Sequence, residues 1–340
     1  MNAPIQNLSR RWLLSLTLLA VALLFAGAVA LALGPSSIGL LEIGRALTGG
    51  GEGGDRTILL QVRLPRVLLA ALVGAGLSGA GAAFQAILRN PLAEPYILGV
   101  SGGAALGAVL FTALAGADIL GAPLGRPAAA FAGALLTTLV LFNLARARGR
   151  TGSMALLLVG VILNAFDSAL ILFLVSAGDP SRFQGVLFYL VGAMTSLPWT
   201  VLGWLSALVI GGLALLVLQG HRLNLFSMGE EVASHLGVEV ERTLWTVVIA
   251  ASLVTAAAVA FTGLVGFVGL IVPHALRASL GPDHRLLLPA SILGGATFLV
   301  LADGIARVLV APVEMPVGVI TALVGGPFFL VLFLRRLREE

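Results

Sequence analysis

Residues 63–104 read RLPRVLLAALVGAGLSGAGAAFQAILRNPLAEPYILGVSGGA, and this stretch decides the fold class. Arg63 and Arg66 flank a Leu-Pro pair, an apolar glycine-rich run follows over 67–88, and the polar turn RNPLAEP comes next. An apolar run of this length can cross a hydrocarbon core of about 30 Å as a helix that rises about 1.5 Å per residue. The stretch therefore predicts one membrane crossing with charged residues at each end.

The composition extends this prediction to the whole chain. Of its 340 residues, 59% are hydrophobic and 11% are charged, and the mean hydropathy is +1.06. A soluble domain carries about 25% charged residues, so we predict an all-α polytopic membrane protein surrounded by lipid. The absence of cysteine excludes disulfides, thiolate metal sites and cysteine nucleophiles. All 20 basic residues are arginines spread between apolar runs, which indicates membrane topology and no nucleic-acid partner.

The alternation of apolar runs with charged, glycine or proline breaks predicts about ten transmembrane helices. Pro198 is predicted to end a short lead-in helix, because 186–218 is too long for one upright span. Three glycines and Pro273 predict a break in 243–274, followed by a short returning helix. The predicted spans are 13–33, 67–88, 96–115, 127–145, 155–176, 198–218, 243–262, 264–274, 287–305 and 317–334.

The distribution of arginine predicts the orientation. Arginines precede the first span at 10–11 and follow the last at 335–338, so we expect both termini in the cytoplasm and a multi-pass protein of the cytoplasmic (inner) membrane. This orientation leaves more arginines outside than topology requires, which suggests a partner on the outer face. The outer arginines are Arg45, Arg56, Arg63, Arg66, Arg126, Arg182 and Arg307.

Residues 221–242, HRLNLFSMGEEVASHLGVEVER, are the one stretch between spans that can form a solvated unit. Ser227 and Glu230 have the spacing of an N-cap and its capping-box partner, and Gly237 suits a helix end. We therefore predict a short helix over about 228–236 on the cytoplasmic face.

Enzyme signatures are missing from the sequence. No phosphate-binding loop, HExxH or GxSxG motif occurs, so we expect a non-catalytic chain without cofactor or metal. Polar residues inside a span are more informative because they are costly in lipid. Asn164, Asp167 and Ser168 lie at i, i+3 and i+4, which favours either a water-lined pathway or an interhelical hydrogen bond. Asp303 and Arg307 have the i, i+4 spacing of an ion pair.

Glycines cluster inside the second, third and eighth predicted spans. Small residues at such spacing allow helix backbones to approach closely in lipid. The alternative interpretation is a glycine hinge that opens a pathway.

Several segments together resemble the FecCD family of ABC importer permeases. The resemblance runs in order from about residue 10 to 335, and it is the combination of segments that is specific. The segments are the opening stretch, SMGEEVASHLGV (227–238), GLVGFVGLIVPHALR (263–277), DHRLLLPAS (283–291), ADGIAR (302–307) and PVGVITALVGGPFFLVLF (316–333).

The resemblance implies an ABC importer (type II) permease fold, with residues 1–340 as a single transmembrane permease domain. It implies a homodimer or close heterodimer around a central pathway, embedded in membrane lipid. The implied partners are a dimer of cytoplasmic ATP-binding-cassette ATPases and a periplasmic or lipid-anchored substrate-binding protein. The family serves iron–siderophore, haem and cobalamin uptake, so a metal chelate is the expected cargo and an iron–siderophore the first expectation.

The resemblance also assigns roles to particular residues. Arg63, Arg66 and Arg307 correspond to arginines that face acidic residues of the binding protein, which suits the surplus of outer arginines. The segment 221–242, called the coupling segment below, corresponds to the helix that docks on the ATPase. Its expected contact residues are Gly229, Glu230 and Glu231, with Ala233, Leu236 and Gly237 as packing support.

In cobalamin-carrying members of the family, small hydroxyl residues just before the fifth span form a cytoplasmic gate. Ser153 matches that pattern, whereas Met154 replaces a hydroxyl residue with a flexible thioether that can close a pore by bulk. Asn164, Asp167 and Ser168 are the expected pathway residues deeper in the span. An ion-coupled secondary transporter that uses Asp167 is the alternative function, and it would lack the GEE docking helix.

Overall fold

The structure is a computed structural model, and its regular elements in the described residues are helices joined by short turns. The described residues are 3–34, 39, 43–45, 54–115, 124–146 and 153–339.

The described residues contain ten apolar helices in the predicted order. Seven are long and apolar enough to cross a membrane, and shorter apolar helices provide the other three, α3, α8 and α10. The predicted fold class, an all-α polytopic membrane protein with about ten spans, is confirmed. The helices are α1 (Ala3–Ala32), α2 (Leu64–Ile87), α3 (Val100–Leu114), α4 (Gly125–Arg146), α5 (Ser153–Ala177), α6 (Trp199–Leu218), α7 (Val240–Thr262), α8 (Val268–Leu280), α9 (His284–Val308) and α10 (Val317–Glu339).

The lead-in helix before α6 ends earlier than predicted. It spans Pro180–Val191, and Gly192 stops it by adopting a φ of 80°, which is open to glycine but costly for other residues. Pro198 does not end this helix; it is the N-cap residue of α6, with a ψ of 144°. The connecting residues form no regular helix, and the Ala193 N–H donates to the Thr262 carbonyl oxygen at 3.0 Å.

The predicted break between α7 and α8 is present. Gly263 and Phe267 both have positive φ angles, of 70° and 69°, and α8 begins only at Val268. The helix continues through Pro273 to Leu280, further than the predicted end at 274. The Phe267 N–H donates to Glu94 Oε2 at 3.3 Å, and burial raises the pKa of this carboxyl group.

The bundle is built around α2 and α7, which are buried along most of their length, whereas α1 and α5 are mostly exposed. Close approaches between backbones hold α2 in the centre. A Cβ atom at Gly74 would collide with the carbonyl group of Gly295 in α9, and one at Gly81 would collide with the backbone of Gly269 in α8. The prediction that glycines allow close helix packing is confirmed at these contacts.

Candidate functional site

Two arginines bind the carbonyl end of the first helix. Arg63 lies at the end of a π-helical turn, Leu59–Arg63, that leads into α2, and its Nη1 donates to the Leu31 carbonyl oxygen at 2.8 Å. Arg307, in the last turn of α9, donates from Nη2 to Ala30 at 2.8 Å and from Nη1 to Leu33 at 3.1 Å. The last carbonyl groups of a helix have no partner within it and carry a partial negative charge. Both arginines therefore stabilise the end of α1.

Two acidic residues complete an arginine cluster with these side chains. Asp303 accepts from Arg66 Nη2 at 3.0 Å and lies 3.2 Å from Arg307 Nε, so one carboxylate bridges two guanidinium groups. Glu314 Oε2 accepts from Arg66 Nη1 at 2.7 Å. The predicted i, i+4 ion pair is confirmed, and three arginines against two carboxylates leave a net charge of +1. We call Arg63, Arg66, Arg307, Asp303 and Glu314 the arginine cluster.

Two of the three arginines expected to face a binding protein are buried in this chain. Arg63 and Arg307 are each 4% exposed, because their guanidinium groups are directed at the end of α1 and not at solvent. The side chain of Arg66 is 11% exposed, while that of Glu314 is 44% exposed. The three arginines and Glu314 line a cavity of about 420 Å³ together with Gly34, Ile58 and Val62. Of the arginines, Arg66 is the most exposed.

The opposite end of the bundle carries the coupling segment. Gly229 has a φ of 122° and separates two short helices, Gly220–Ser227 and Glu230–His235. The predicted capping box is wrong, since the Ser227 hydroxyl donates to the Leu223 carbonyl oxygen within its own helix. The second helix is correspondingly shorter than the predicted 228–236. Gly237, with a φ of 86°, follows its end as predicted.

The second short helix presents a mixed charged and apolar surface. Glu230 pairs with Arg89 of the α2–α3 turn at 3.7 Å, and Glu231 is exposed. Val232 and Leu236 are 41% and 58% exposed, whereas Ala233 is buried against the bundle. Exposed apolar residues beside charges are typical of a surface that contacts a protein partner.

The predicted pathway residues do not all lie together. Asp167 is buried against α3, where Asn164 also faces Gly102, and Asp167 Oδ2 has no hydrogen-bond partner among the described residues. Ser168 is exposed, and its hydroxyl donates to the Asn164 carbonyl oxygen at 2.7 Å. Asn164 and Asp167 thus lie at the α3–α5 interface, whereas Ser168 lies on the exposed side of α5.

The two gate residues lie at the start of α5. Met154 is 78% exposed, and the side chain of Ser153 lies outside the described part of the structure. Among the described residues, no three histidine or acidic side chains come together as a metal site.

Sequence reasoning missed three contacts that define these ends. The pairings of Arg66 with Glu314, of Arg63 with Leu31 and of Arg89 with Glu230 join residues far apart in the chain. No spacing rule connects such positions, although the net charge of each end could have indicated that counter-charges were needed.

A polytopic helical bundle with an arginine cluster at one end and a short helix with exposed charged and apolar residues at the other has the architecture of a transporter permease subunit. The profile of the FecCD transport family matches residues 20–335. The chain belongs to this family of ABC transporter permeases.

Curated relatives and a solved structure agree with this assignment. The chain is 39% identical over 316 residues to the hemin transport system permease protein HmuU of Yersinia pestis, covering 92% of this chain and 94% of HmuU. It is 44% identical over 277 residues to the cobalamin import system permease protein BtuC of Halobacterium salinarum, covering 82% and 73%. A solved structure described as an inward-facing, metal-chelate type ABC transporter has a TM-score of 0.82 at 31% identity, covering 95% of this chain and 99% of that one.

Proposed function

We propose that the chain is the permease subunit of an ATP-driven importer that carries a metal chelate across the cytoplasmic (inner) membrane. The relatives named for hemin and for cobalamin, and the similar metal-chelate transporter, support this class of cargo. Within the class, an iron–siderophore, haem or cobalamin is the substrate. The chain itself performs no catalysis, and both termini are cytoplasmic.

The observation that carries the proposal is the Glu230–His235 helix. It exposes Glu231, Val232 and Leu236 together at one end of the bundle, while Ala233 anchors it to the rest of the coupling segment. A short helix of this kind fits a cleft in a cytoplasmic ATPase, because its apolar residues bury area and its carboxylates pair with basic groups. Each ATPase of the dimer binds one permease copy in this way.

The arginine cluster is the proposed contact for a periplasmic or lipid-anchored binding protein. Arg66 is the accessible member, and its pairing with the half-exposed Glu314 mimics the pairing that an acidic residue of the binding protein would make. Arg63 and Arg307 are buried next to Arg66, where they add positive charge and bind the end of α1. The net charge of the cluster favours an acidic partner and accelerates encounter with it.

A second permease copy is proposed to cover the exposed side of α5. This side carries Met154 and Ser168, together with Phe166 and Phe173, which are 60% and 65% exposed. A homodimer places these residues along a pathway between the copies, with Ser153 and Met154 at its cytoplasmic end. Asp167 is assigned to the α3–α5 interface, and family membership favours ATP-driven over ion-coupled transport.

The Glu230→Ala/Glu231→Ala double variant tests the coupling role. In liposomes with the ATPase and binding protein, we expect uptake of ferric ferrichrome, hemin or cyanocobalamin per ATP hydrolysed to fall by at least about tenfold, since charge-assisted hydrogen bonds across the interface are lost. Glu239→Ala is the matched control, because Glu239 is exposed in the same segment and pairs with Arg242 of its own turn. Full transport by the double variant would contradict the proposal.

Glu314→Gln tests docking at the arginine cluster. It raises the net charge from +1 to +2 and removes the carboxylate from Arg66 Nη1, while Asp303 still holds Nε and Nη2. We therefore expect binding-protein affinity to rise several-fold, with a steeper salt dependence. Arg66→Gln is expected to weaken docking by about tenfold or more. Surface plasmon resonance on the permease in nanodiscs measures both effects, with the exposed Asp179→Asn as control. Equal affinities for all variants would show that the arginine cluster is not part of the docking surface.

A further inference from the structure

A cavity of about 550 Å³ with several polar side chains in its wall lies beside the coupling segment. Its walls come from the C-terminal end of α2 and the turn after it, from the Gly220–Ser227 helix, and from α8 with the turn that follows it. The residues that matter for its chemistry are Gln85, Arg89, Asn224, Ser227, Arg277 and His284.

Arg277 of α8 is a half-buried cation without a carboxylate partner among the described residues. Its Nη2 donates to Gln85 Oε1 at 2.8 Å, and the amide group of Gln85 in turn donates to the Gly269 carbonyl oxygen at 3.2 Å. The guanidinium group is thus held in place, while most of its five donors have no acceptor in the part of the chain that the structure describes. A cation removed from water without a counter-charge is unfavourable, so the site is electrostatically incomplete.

Asp283, the one carboxylate that the described residues contribute to the cavity wall, does not neutralise Arg277. Asp283 accepts from Arg285 Nη2 at 2.6 Å and from Asn224 Nδ2 at 2.7 Å. These bonds hold the pKa of Asp283 well below its usual range, and its charge is balanced by Arg285. Arg89, the other arginine of the wall, pairs with Glu230, so Arg277 is the cation that an acidic group in the cavity would neutralise.

His284 leaves a hydrogen-bond acceptor unused in the same wall. Asn224 Oδ1 accepts from the His284 N–H at 2.7 Å and lies 2.9 Å from Nδ1, while the Asn224 amide donates to Asp283. Because an amide oxygen can only accept, Nδ1 carries the proton and Nε2 is a bare acceptor. Nε2 is buried without a partner among the described residues. Because Nε2 is buried, Arg277 is the group of this wall that an acidic residue in the cavity would satisfy.

We propose that this cavity is a second contact for the cytoplasmic ATPase, in which an acidic side chain of the ATPase pairs with Arg277. The inference rests on the proposed function, which places the ATPase on the Glu230–His235 helix. The cavity is continuous with that surface, since Arg89 lines it and pairs with Glu230, and Ser227 and Met228 line it directly before Gly229. A partner that binds the helix therefore covers the mouth of the cavity.

Arg277→Gln tests the pairing in the full permease, reconstituted in nanodiscs and titrated with the ATPase. We expect the affinity to fall by about 10- to 100-fold and its salt dependence to flatten, because a charge-assisted hydrogen bond is lost. Arg222→Gln is the matched control: Arg222 is exposed on the same face and also donates to a glutamine oxygen, on Gln219, at 3.0 Å, but it does not line the cavity. Its affinity is expected to stay within about twofold of the native value.

Cross-linking identifies the occupant even where Arg277→Gln impairs folding. The chain contains no cysteine, so Ser227→Cys provides a unique attachment point for a benzophenone maleimide at the cavity wall. We expect cross-links to an ATPase peptide that contains an acidic residue, and none from Ser196→Cys near the start of α6. Replacing that acidic residue with arginine should restore binding to Arg277→Glu.

The outcomes separate the two proposals. If the Glu230→Ala/Glu231→Ala variant binds the ATPase weakly while Arg277→Gln behaves like Arg222→Gln, the cavity contact is overturned and the proposed function stands. Cross-links that reach only lipid or a second permease copy also overturn it. If the native permease does not bind the ATPase at all, the proposed function itself fails.

Discussion

Asp303→Asn is expected to lower the free energy of unfolding by about 3–5 kcal/mol, the range for removing one partner of a buried ion pair. Asp303 is 1% exposed and bridges Arg66 and Arg307, so the amide leaves two guanidinium groups without their shared counter-charge. Arg307 is 4% exposed and cannot recover this loss by hydration. Unfolding in mixed dodecyl maltoside and SDS micelles, followed by tryptophan fluorescence, measures the change.

Glu314→Gln is the matched control for this measurement. The same change of carboxylate to amide is made on the same partner, Arg66, but Glu314 is 44% exposed. An exposed ion pair contributes about 0–1 kcal/mol because water replaces the lost partner. If both variants lost the same free energy of unfolding, burial would not determine how much each carboxylate stabilises the protein.

Gly81→Ala is expected to destabilise the bundle by about 1–3 kcal/mol, although alanine favours a helix over glycine by about 1 kcal/mol. The added methyl group would collide with the backbone of Gly269, which cannot rotate away as a side chain can. The α2–α8 contact would have to widen, and the Gln85 hydrogen bond to Gly269 would lengthen with it.

Gly211→Ala is the control for Gly81→Ala, because it makes the same substitution at a position with free space. A Cβ atom at Gly211 in α6 meets no other atom within 4 Å, so this variant is expected to match or slightly exceed the native stability. Thermal unfolding of both variants in nanodiscs distinguishes close packing from a general intolerance of the bundle to larger residues. A stability loss at Gly211 equal to that at Gly81 would contradict the packing explanation.

The positions of the membrane helices could be predicted because hydropathy is a local property of the chain. The span predicted at 198–218 is observed as Trp199–Leu218, and the break near Gly263 also follows from local glycine content. The burial of Arg63 and Arg307 could not be predicted, because it depends on where the end of α1 lies relative to α2 and α9.

Short-range rules failed where two local signals competed. Ser227 has the spacing of an N-cap, but it lies inside the preceding helix, and Gly229 with its positive φ makes the break two residues later. The division of Asn164, Asp167 and Ser168 has a similar cause. Helical spacing places them on one side of α5, but only the position of α3 decides which of them is buried.

The binding of the α1 carbonyl end by Arg307 has a consequence for biogenesis. Ala30 and Arg307 are 277 positions apart, so the first helix leaves the ribosome long before its partner is made. At a synthesis rate of about 5–20 residues per second, the interval is about 14–55 s. Arg63, 32 positions after Leu31, is available to the end of α1 early in this interval, and insertion of α9 later adds the hydrogen bonds from Arg307.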